Sequence, residues 1–108
     1  MKEIINETSS FKILRIVKGT VNIVIYDDGT NQFGCDVRVS SNKGDGNMSL
    51  TLSGNETINK DVAGISVKAV VSDWDCAPDH LRCHVKVTAS KSIFNKTVFD
   101  KTLEGRRG

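Results

Sequence analysis

The stretch Cys83-His-Val-Lys-Val-Thr-Ala-Ser90 decides the fold class of this chain, because its apolar and polar residues alternate one by one. Side chains of a β-strand point alternately to opposite faces, whereas an amphipathic helix repeats apolar positions every three to four residues. One face of this stretch is apolar and would cover a core: Cys83, Val85, Val87 and Ala89. The stretch therefore predicts a half-buried strand.

The same alternation recurs through most of the chain. Its apolar positions are Val21, Ile23 and Ile25; Cys35, Val37 and Val39; Met48, Leu50 and Leu52; and Ile65, Val67, Ala69 and Val71. Two further segments, 11–17 and 93–103, are rich in β-forming residues but carry apolar residues on both faces. We expect these two to be edge strands, or strands covered by a neighbour. No segment has helical periodicity, and the pattern predicts seven or eight strands.

Gly, Asn and Asp mark the turns between these strands, because they tolerate turn conformations that other residues avoid. We expect a hairpin turn at Asp27–Gly29 and loops at Asn42–Asn47, Gly54-Asn55 and Asn59–Asp61. The longest segment without alternation is Asp73–Leu81, which contains the only Pro and the only Trp. Short, regularly spaced strands predict an all-β fold, either a small antiparallel β-sandwich or, alternatively, a small closed β-barrel.

Length and composition indicate that residues 1–108 form a single domain with one core. The formal net charge of +2 is too small to indicate binding to nucleic acid or to an anionic membrane. No apolar run approaches the roughly 20 residues of a membrane span. The first ten residues are too polar for a secretory signal. We therefore expect no nucleic-acid partner, no membrane insertion, and either an intracellular protein or one whose signal was removed.

Two cysteines give the chain a resemblance to immunoglobulin-like sandwiches. Cys35 opens one core-facing strand and Cys83 opens a late one, as the two bridged cysteines of that family do. The resemblance covers about residues 11–103 and implies a sandwich of the kind used in adhesion, receptor, viral-envelope and virion proteins. The chain departs from antibody-type domains, since Trp74 lies 39 positions after Cys35, and Leu81 stands where that family has its corner tyrosine.

Two thiols and two imidazoles lie within nine positions, at Cys76, His80, Cys83 and His84, and Cys35 is the third thiol. A zinc site could combine Cys76, His80 and Cys83 with either of the other two residues. Alternation argues against it, because Cys83 points inward and His84 outward, and we predict no metal. A Cys76–Cys83 bridge, a Cys35–Cys83 bridge and three reduced thiols stay open, with Cys76 and Cys83 as the candidate pair in an extracellular protein.

Four tripeptides match the acceptor signal for asparagine-linked glycosylation, and they begin at Asn6, Asn47, Asn55 and Asn95. The content of Asn, Ser and Thr gives about 1.3 such signals by chance. The excess favours a secreted glycoprotein, although polar, turn-rich β proteins also generate these triplets. The origin of the chain, secreted or intracellular, stays open at this point.

Catalysis has little support in the sequence. Near the two histidines no nucleophile, base and orienting group can be assigned together, and no glycine motif has phosphate-binding spacing. We therefore predict neither an enzyme nor a bound cofactor. Trp74 lies in the longest irregular segment, and with His80 and Arg82 it is predicted to anchor protein contacts, because Trp is enriched at interface centres. Alternatively, Trp74 plugs the open end of the sandwich.

These observations predict a non-enzymatic protein-interaction or assembly module whose partners are other protein chains, including copies of itself. Tails such as Glu104–Gly108 usually fray, so order there would indicate that neighbouring chains hold them. This favours a structural subunit of a larger particle, such as a virion or another assembled extracellular surface. One alternative is an extracellular glycoprotein module of adhesion, receptor or viral-envelope type. The other is a small zinc-stabilised protein or enzyme that uses the Cys76–His84 loop.

Overall fold

The computed structural model describes residues 1–13, 15–62, 64–91 and 94–107. Within these ranges the chain forms eight strands and no helix. The strands are β1 (Lys2–Ile13), β2 (Val17–Asp27), β3 (Phe33–Ser41), β4 (Gly44–Leu52), β5 (Glu56–Val62), β6 (Ile65–Cys76), β7 (His80–Lys91) and β8 (Phe94–Arg106). No helix long and apolar enough to cross a membrane occurs among the described residues.

The strands form two antiparallel sheets, each in simple chain order. Sheet A is β1-β2-β3-β4 and sheet B is β5-β6-β7-β8. Among the described residues no hydrogen-bonded ladder joins β4 to β5 or β8 to β1, so the sheets are not closed into a barrel. The predicted β-sandwich is confirmed. Its strand order differs from the Greek-key order of immunoglobulin sandwiches, so the resemblance extends only to two antiparallel sheets that share a core.

One hydrophobic core lies between the two sheets. The residues predicted to face inward from alternation are largely buried, among them Val21, Ile23, Ile25, Cys35, Val37, Val67, Ala69, Val71, Cys83, Val85, Val87 and Ala89. Leu50 and Val39 belong to the same inward faces but are only half-buried. Burial of this apolar area stabilises the fold by roughly 25 cal/mol per Å² removed from water.

A β-bulge explains why β8 carries apolar residues on both faces. The β7–β8 register shifts by one residue between Val87 and Thr88, opposite the segment that contains Val98 and Phe99. A bulge places two residues of one strand opposite one residue of its partner, which interrupts the alternation. Val98 and Phe99 are therefore both buried, although they are adjacent in sequence.

Several predicted boundaries are corrected by the structure. The predicted loop Asn42–Asn47 is wrong, because only Asn42 and Lys43 form the turn and β4 begins at Gly44. The predicted loop Asn59–Asp61 lies inside β5. Gly44, Gly46 and Asn59 are residues typical of turns, but pairing with the neighbouring strand outweighs that preference here. The predicted turn at Asp27–Gly29 is placed correctly but is too short, because β2 extends to Asp27 and the connection to β3 covers residues 28–32, with Gly29 at a φ of 87°.

The first strand was not predicted, because most of its side chains are polar. β1 covers Lys2–Ile13, and of its residues only Ile5 and Ile13 are buried. The predicted strand 11–17 is also wrong. It contains the end of β1, the start of β2 at Val17 and a turn between them. A hydrogen-bonded ladder to β2 specifies β1 more than its own side-chain pattern does.

The two long sides of the sandwich differ. On the closed side, β1 lies beside β8 so closely that a Cβ placed on Gly105 would overlap the carbonyl oxygen of Ile4 and lie 2.7 Å from Cγ1 of Ile5. On the open side, β4 and β5 approach each other less. There the Lys60 ammonium on β5 donates to the Asn47 carbonyl on β4 at 3.0 Å. On this side β4 is the edge strand of sheet A and β5 is the edge strand of sheet B.

Candidate functional site

A buried ion pair occupies one end of the sandwich, where Arg107 follows β8. The Arg107 Nε donates to Asp27 Oδ2 at 3.1 Å, and the two side chains are only 10% and 6% exposed. The hydrogen bond from Arg107, followed by one from the backbone N–H of Gly29, holds the pKa of Asp27 below its usual range. Among the described residues Asp27 is the one charged residue that is buried. The positive charge of Arg107 compensates its negative charge.

The same guanidinium connects two turns that lie far apart in sequence. It donates to the carbonyl of Thr30 at 2.7 Å in the β2–β3 turn and to that of Ala77 at 3.1 Å in the β6–β7 turn. It also contacts the Cys76 Sγ at 3.4 Å and lies over the Phe33 ring at 4.9 Å. Its backbone N–H donates to the Asp79 carbonyl. Arg107 therefore closes this end of the molecule between the sheets.

Trp74 packs at the same end, and a second bulge directs it there. The β6–β7 register shifts between Ser72 and Asp75, and Asp73 adopts a φ of 54° in the left-handed region. The extra residue reverses the alternation, so Trp74 packs against the core and meets the fully buried Phe33 edge-on at 5.7 Å. Its backbone N–H donates to the Asn55 Oδ1 in the β4–β5 turn at 3.0 Å.

The three residues predicted to form an interaction site do not share one face. Trp74 points to the inner side of sheet B, whereas Arg82 lies on the outer face and is exposed. His80 also lies on the outer side, with its Nδ1 2.9 Å from Asp79 and its Nε2 3.7 Å from Asp75. The hydrogen bond to Asp79 raises the pKa of His80. The structure thus brings His80 close to Arg82 along β7 and separates both from the Trp74 ring.

A histidine between a carboxylate and a hydroxyl lies on the outer face of sheet B. His84 Nε2 contacts Asp100, and Nδ1 lies 3.0 Å from the Thr102 Oγ1. Hydroxyl, imidazole and carboxylate resemble the order of groups in hydrolytic triads. The arrangement lies on the open outer face of sheet B, where the His84 and Asp100 side chains are 30% and 49% exposed. Its chemistry is that of an oriented surface imidazole.

The cysteines and histidines of the predicted zinc set lie on opposite sides of sheet B. Cys83 is buried in the core and Cys76 packs at its margin, while His80 and His84 point outward. The described residues contain no group of three His, Cys, Asp or Glu side chains that could hold a metal ion. The structure thus does not bring the residues of the predicted zinc set together on one side of the sheet.

The three cysteines all lie in the described ranges and are free thiols. Burial raises the pKa of Cys35 to about 12 and that of Cys83 to about 11. A thiol with so high a pKa stays protonated at neutral pH and reacts slowly. Cys35 and Cys83 thus act here as small core residues. The Cys76–Cys83 bridge stays a prediction for an oxidising compartment.

All four predicted glycosylation positions are exposed: Asn6, Asn47, Asn55 and Asn95. Asn55 lies in the turn between β4 and β5, and the other three lie within strands. The Asn6 side chain accepts a hydrogen bond from Asn22 at 2.7 Å, and Asn55 accepts the one from Trp74. A glycan on the amide nitrogen would leave both accepting oxygens in place.

Open grooves, not an enclosed cavity, surround the Trp74 end in the described part of the chain. One groove is lined by Asn31, Ser53, Trp74, Asp75 and Cys76. At the opposite end an apolar gap of about 20 Å³ lies between Ile13 and Ile65 among other residues. This gap is lined mostly by apolar groups, which offer a water molecule few hydrogen-bond partners.

Sequence reasoning missed the Arg107–Asp27 pair. The residues are 80 positions apart, and neither spacing nor composition connects them. The expectation that neighbouring chains would hold the tail is corrected, because β8 extends to Arg106 and Arg107 is bound within its own chain. An acidic residue at the end of an apolar strand, Asp27 two positions after Ile25, is the sequence signal that could have indicated a nearby cation.

Comparison with known proteins gives no relative: no family model matches the chain, and no curated protein or solved structure is significantly similar to it.

Proposed function

We propose that this protein is a non-enzymatic assembly module that works through contacts with other protein chains, copies of itself included. It acts as a structural subunit of a larger particle, such as a virion or another assembled extracellular surface. The observation that carries this proposal is the open side of the sandwich. A sheet edge presents unpaired backbone N–H and C=O groups that can pair with another chain.

The arrangement of polar groups supports a binding role over a catalytic one. Four of the groups with shifted pKa values take part in structural contacts: Asp27 and Arg107 close one end, and Cys35 and Cys83 fill the core. His80 and Asp79, whose pKa values are also shifted, bind each other on the outer side of sheet B. The grooves at the Trp74 end are open, whereas enzymes bind small molecules in clefts that bury most of the ligand. A surface that binds through its shape and through backbone pairing needs neither a group with a shifted pKa nor an enclosed cleft.

The runner-up function is that of an extracellular glycoprotein module of adhesion, receptor or viral-envelope type. It is favoured by the exposure of the four acceptor asparagines. Mass spectrometry of the natively produced protein tests it directly. A glycan mass on any of these residues, or the loss of two hydrogens for a disulfide, would support it, and an unmodified chain would contradict it.

The assembly role is tested by measuring the molar mass of the purified chain in solution. Light scattering after size-exclusion chromatography, over the widest soluble concentration range, should show species larger than the monomer that grow with concentration. Electron microscopy of the largest species then shows whether they are regular. A chain that is monomeric at every concentration would contradict this role.

A further inference from the structure

The edge of β4 has the properties of a pairing strand. Sheet A ends with β4, so half of its backbone groups have no partner in the sheet. Asn42 and Lys43 form the two-residue turn, so Ser41 and Gly44 are the hydrogen-bonded pair next to it. From Gly44 onward, the backbone N–H and C=O groups of successive β4 residues point alternately toward β3 and away from it. The lysine contact agrees with this register, because Lys60 reaches the Asn47 carbonyl from the side of β5.

The outward groups belong to four alternate residues: Asp45, Asn47, Ser49 and Thr51. Their side chains lie on the exposed outer face of sheet A, and only Asp45 is charged. Between them lie uncharged inward residues: Gly46, Met48 and Leu50. The segment from Asp45 to Thr51 spans roughly 20 Å as a strand. In the described part of the chain, the Asn47 carbonyl alone among these groups has a partner, in Lys60.

The other edge on the open side is guarded. Register places Glu56 opposite Val71 and Lys60 opposite Val67, so both charged side chains start from the core-facing side of β5. Charged residues that point inward at a sheet edge prevent another strand from continuing that sheet, because its core-facing side would then be polar. β4 carries no such charge on its inward side. The two edges thus differ, and β4 is the open one.

We infer that β4 pairs antiparallel with β4 of a second copy, across a two-fold axis, to join the two A sheets into one. This inference rests on the proposed assembly function. The outward groups permit a register in which Asn47 faces Ser49 of the second copy and Asp45 faces Thr51. No like charges then oppose each other, and small polar side chains meet across the new pair. The half-buried Leu50 lies opposite Gly46, which has no side chain to obstruct it.

Two-fold pairing makes the interface isologous, since the same edge serves both copies. The Lys60 ammonium must leave the Asn47 carbonyl before that oxygen can accept a hydrogen bond from the second copy. Lys60 is therefore a competitor for the edge, and its removal should favour the dimer.

A matched pair of proline substitutions tests the inference. Asn47→Pro removes an N–H of β4 that points away from β3. Asn59→Pro removes the corresponding N–H of β5, which points away from β6 because the β5–β6 pairing alternates in the same way from Val62 and Ile65. Proline is tolerated on edge strands where its missing N–H would face solvent. We expect Asn47→Pro to weaken self-association at least about tenfold and Asn59→Pro to leave it unchanged. Sedimentation analysis over concentration measures both.

Amide hydrogen exchange on the wild-type chain provides a test that needs no variant to fold. On association, exchange should slow at Asp45, Asn47, Ser49 and Thr51 and stay fast at Asn59. Exchange that is unchanged at the β4 residues in the associated protein would overturn the inference, as would equal effects of the two prolines. A glycan on Asn47 of the native protein would overturn it also.

The outcomes separate this inference from the function beneath it. A wild-type chain that stays monomeric contradicts the assembly role itself. A chain that associates while Asn47→Pro behaves as the wild type retains the assembly role and loses only the β4 interface.

Discussion

A lysine links the two sheets on each long side of the sandwich, but the strands lie close together on one side only. On the closed side the Lys101 ammonium of β8 donates to the Thr8 carbonyl of β1 at 3.3 Å, and on the open side Lys60 of β5 donates to the Asn47 carbonyl of β4 at 3.0 Å. In both places a lysine of sheet B binds the exposed edge of sheet A. Yet the backbones of β1 and β8 approach each other more closely along their length than those of β4 and β5 do.

The difference lies in Gly105 and in the residue that follows β8. Gly105 has no side chain, so β8 can lie directly against Ile4 and Ile5. Arg107 then binds Asp27 and fixes the end of β8 to sheet A. The open side has the Trp74–Asn55 hydrogen bond near its turn and the Lys60 contact farther along. A sandwich thus closes where the backbone permits close approach, and a flexible lysine alone does not close it.

The largest expected effect is that of Gly105→Val on the closed side. The new side chain would overlap the carbonyl oxygen of Ile4 and the side chain of Ile5, so the two strands must separate. We expect a loss of about 3 kcal/mol or more in the free energy of unfolding, measured in urea. Gly54→Val is the control in the β4–β5 turn, where nothing lies within 4 Å. Equal stability of the two variants would contradict the close approach of β8 to β1 at Gly105.

Arg107→Ala should give the next largest loss of stability, because it leaves the Asp27 carboxylate buried without its cation. The exposed neighbour provides the control variant, Arg106→Ala. The pKa of Asp27 is lowered in the fold, so its contribution is present above the ordinary value of 3.8 and is lost as the pH falls below it. The melting temperatures of wild type and Arg107→Ala should therefore converge in acid, and a constant difference would contradict the ion pair.

Trp74→Ala tests the end of the open side. The ring packs edge-on against Phe33 but is only partly buried, so we expect a loss of about 2 kcal/mol, below the 3–5 kcal/mol of a fully buried aromatic residue. Trp74→Phe, which keeps a ring in this position, should lose less. Unfolding in urea measures both, and binding assays measure association. A loss of association in a variant of wild-type stability would instead support the predicted interface role of Trp74.

The smallest effect on stability is expected for Lys60→Ala, within about 0.5 kcal/mol, because the side chain is exposed. Its effect on association should be larger, since the Asn47 carbonyl is then free to pair. Lys101→Ala is the matched variant on the closed side, where β8 already covers β1, and it should leave association unchanged. Light scattering measures the self-association of both variants. Equal self-association would contradict the claim that the open side pairs with a second copy and the closed side does not.

Much of the fold could be predicted from the sequence. Alternation identified the inward residues of β2, β3, β4, β6 and β7, because a residue's face in a strand depends only on its position along that strand. It failed at β1, whose side chains are mostly polar, and at the bulges in β6 and β8, where one extra residue reverses the pattern. The predicted interaction site failed to cluster for that reason, since the bulge at Asp73 turns Trp74 inward, away from Arg82.

The sequence by itself determined that this chain folds as antiparallel strands with one apolar face, because local periodicity sets which side chains leave water. Tertiary structure alone decided which strands became edges and which side closed. Those outcomes depend on contacts between residues far apart in the chain, such as Gly105 with Ile4 and Arg107 with Asp27. Periodicity specifies the face of a residue but not its neighbour across the core, so the open β4 edge is visible only in the folded molecule.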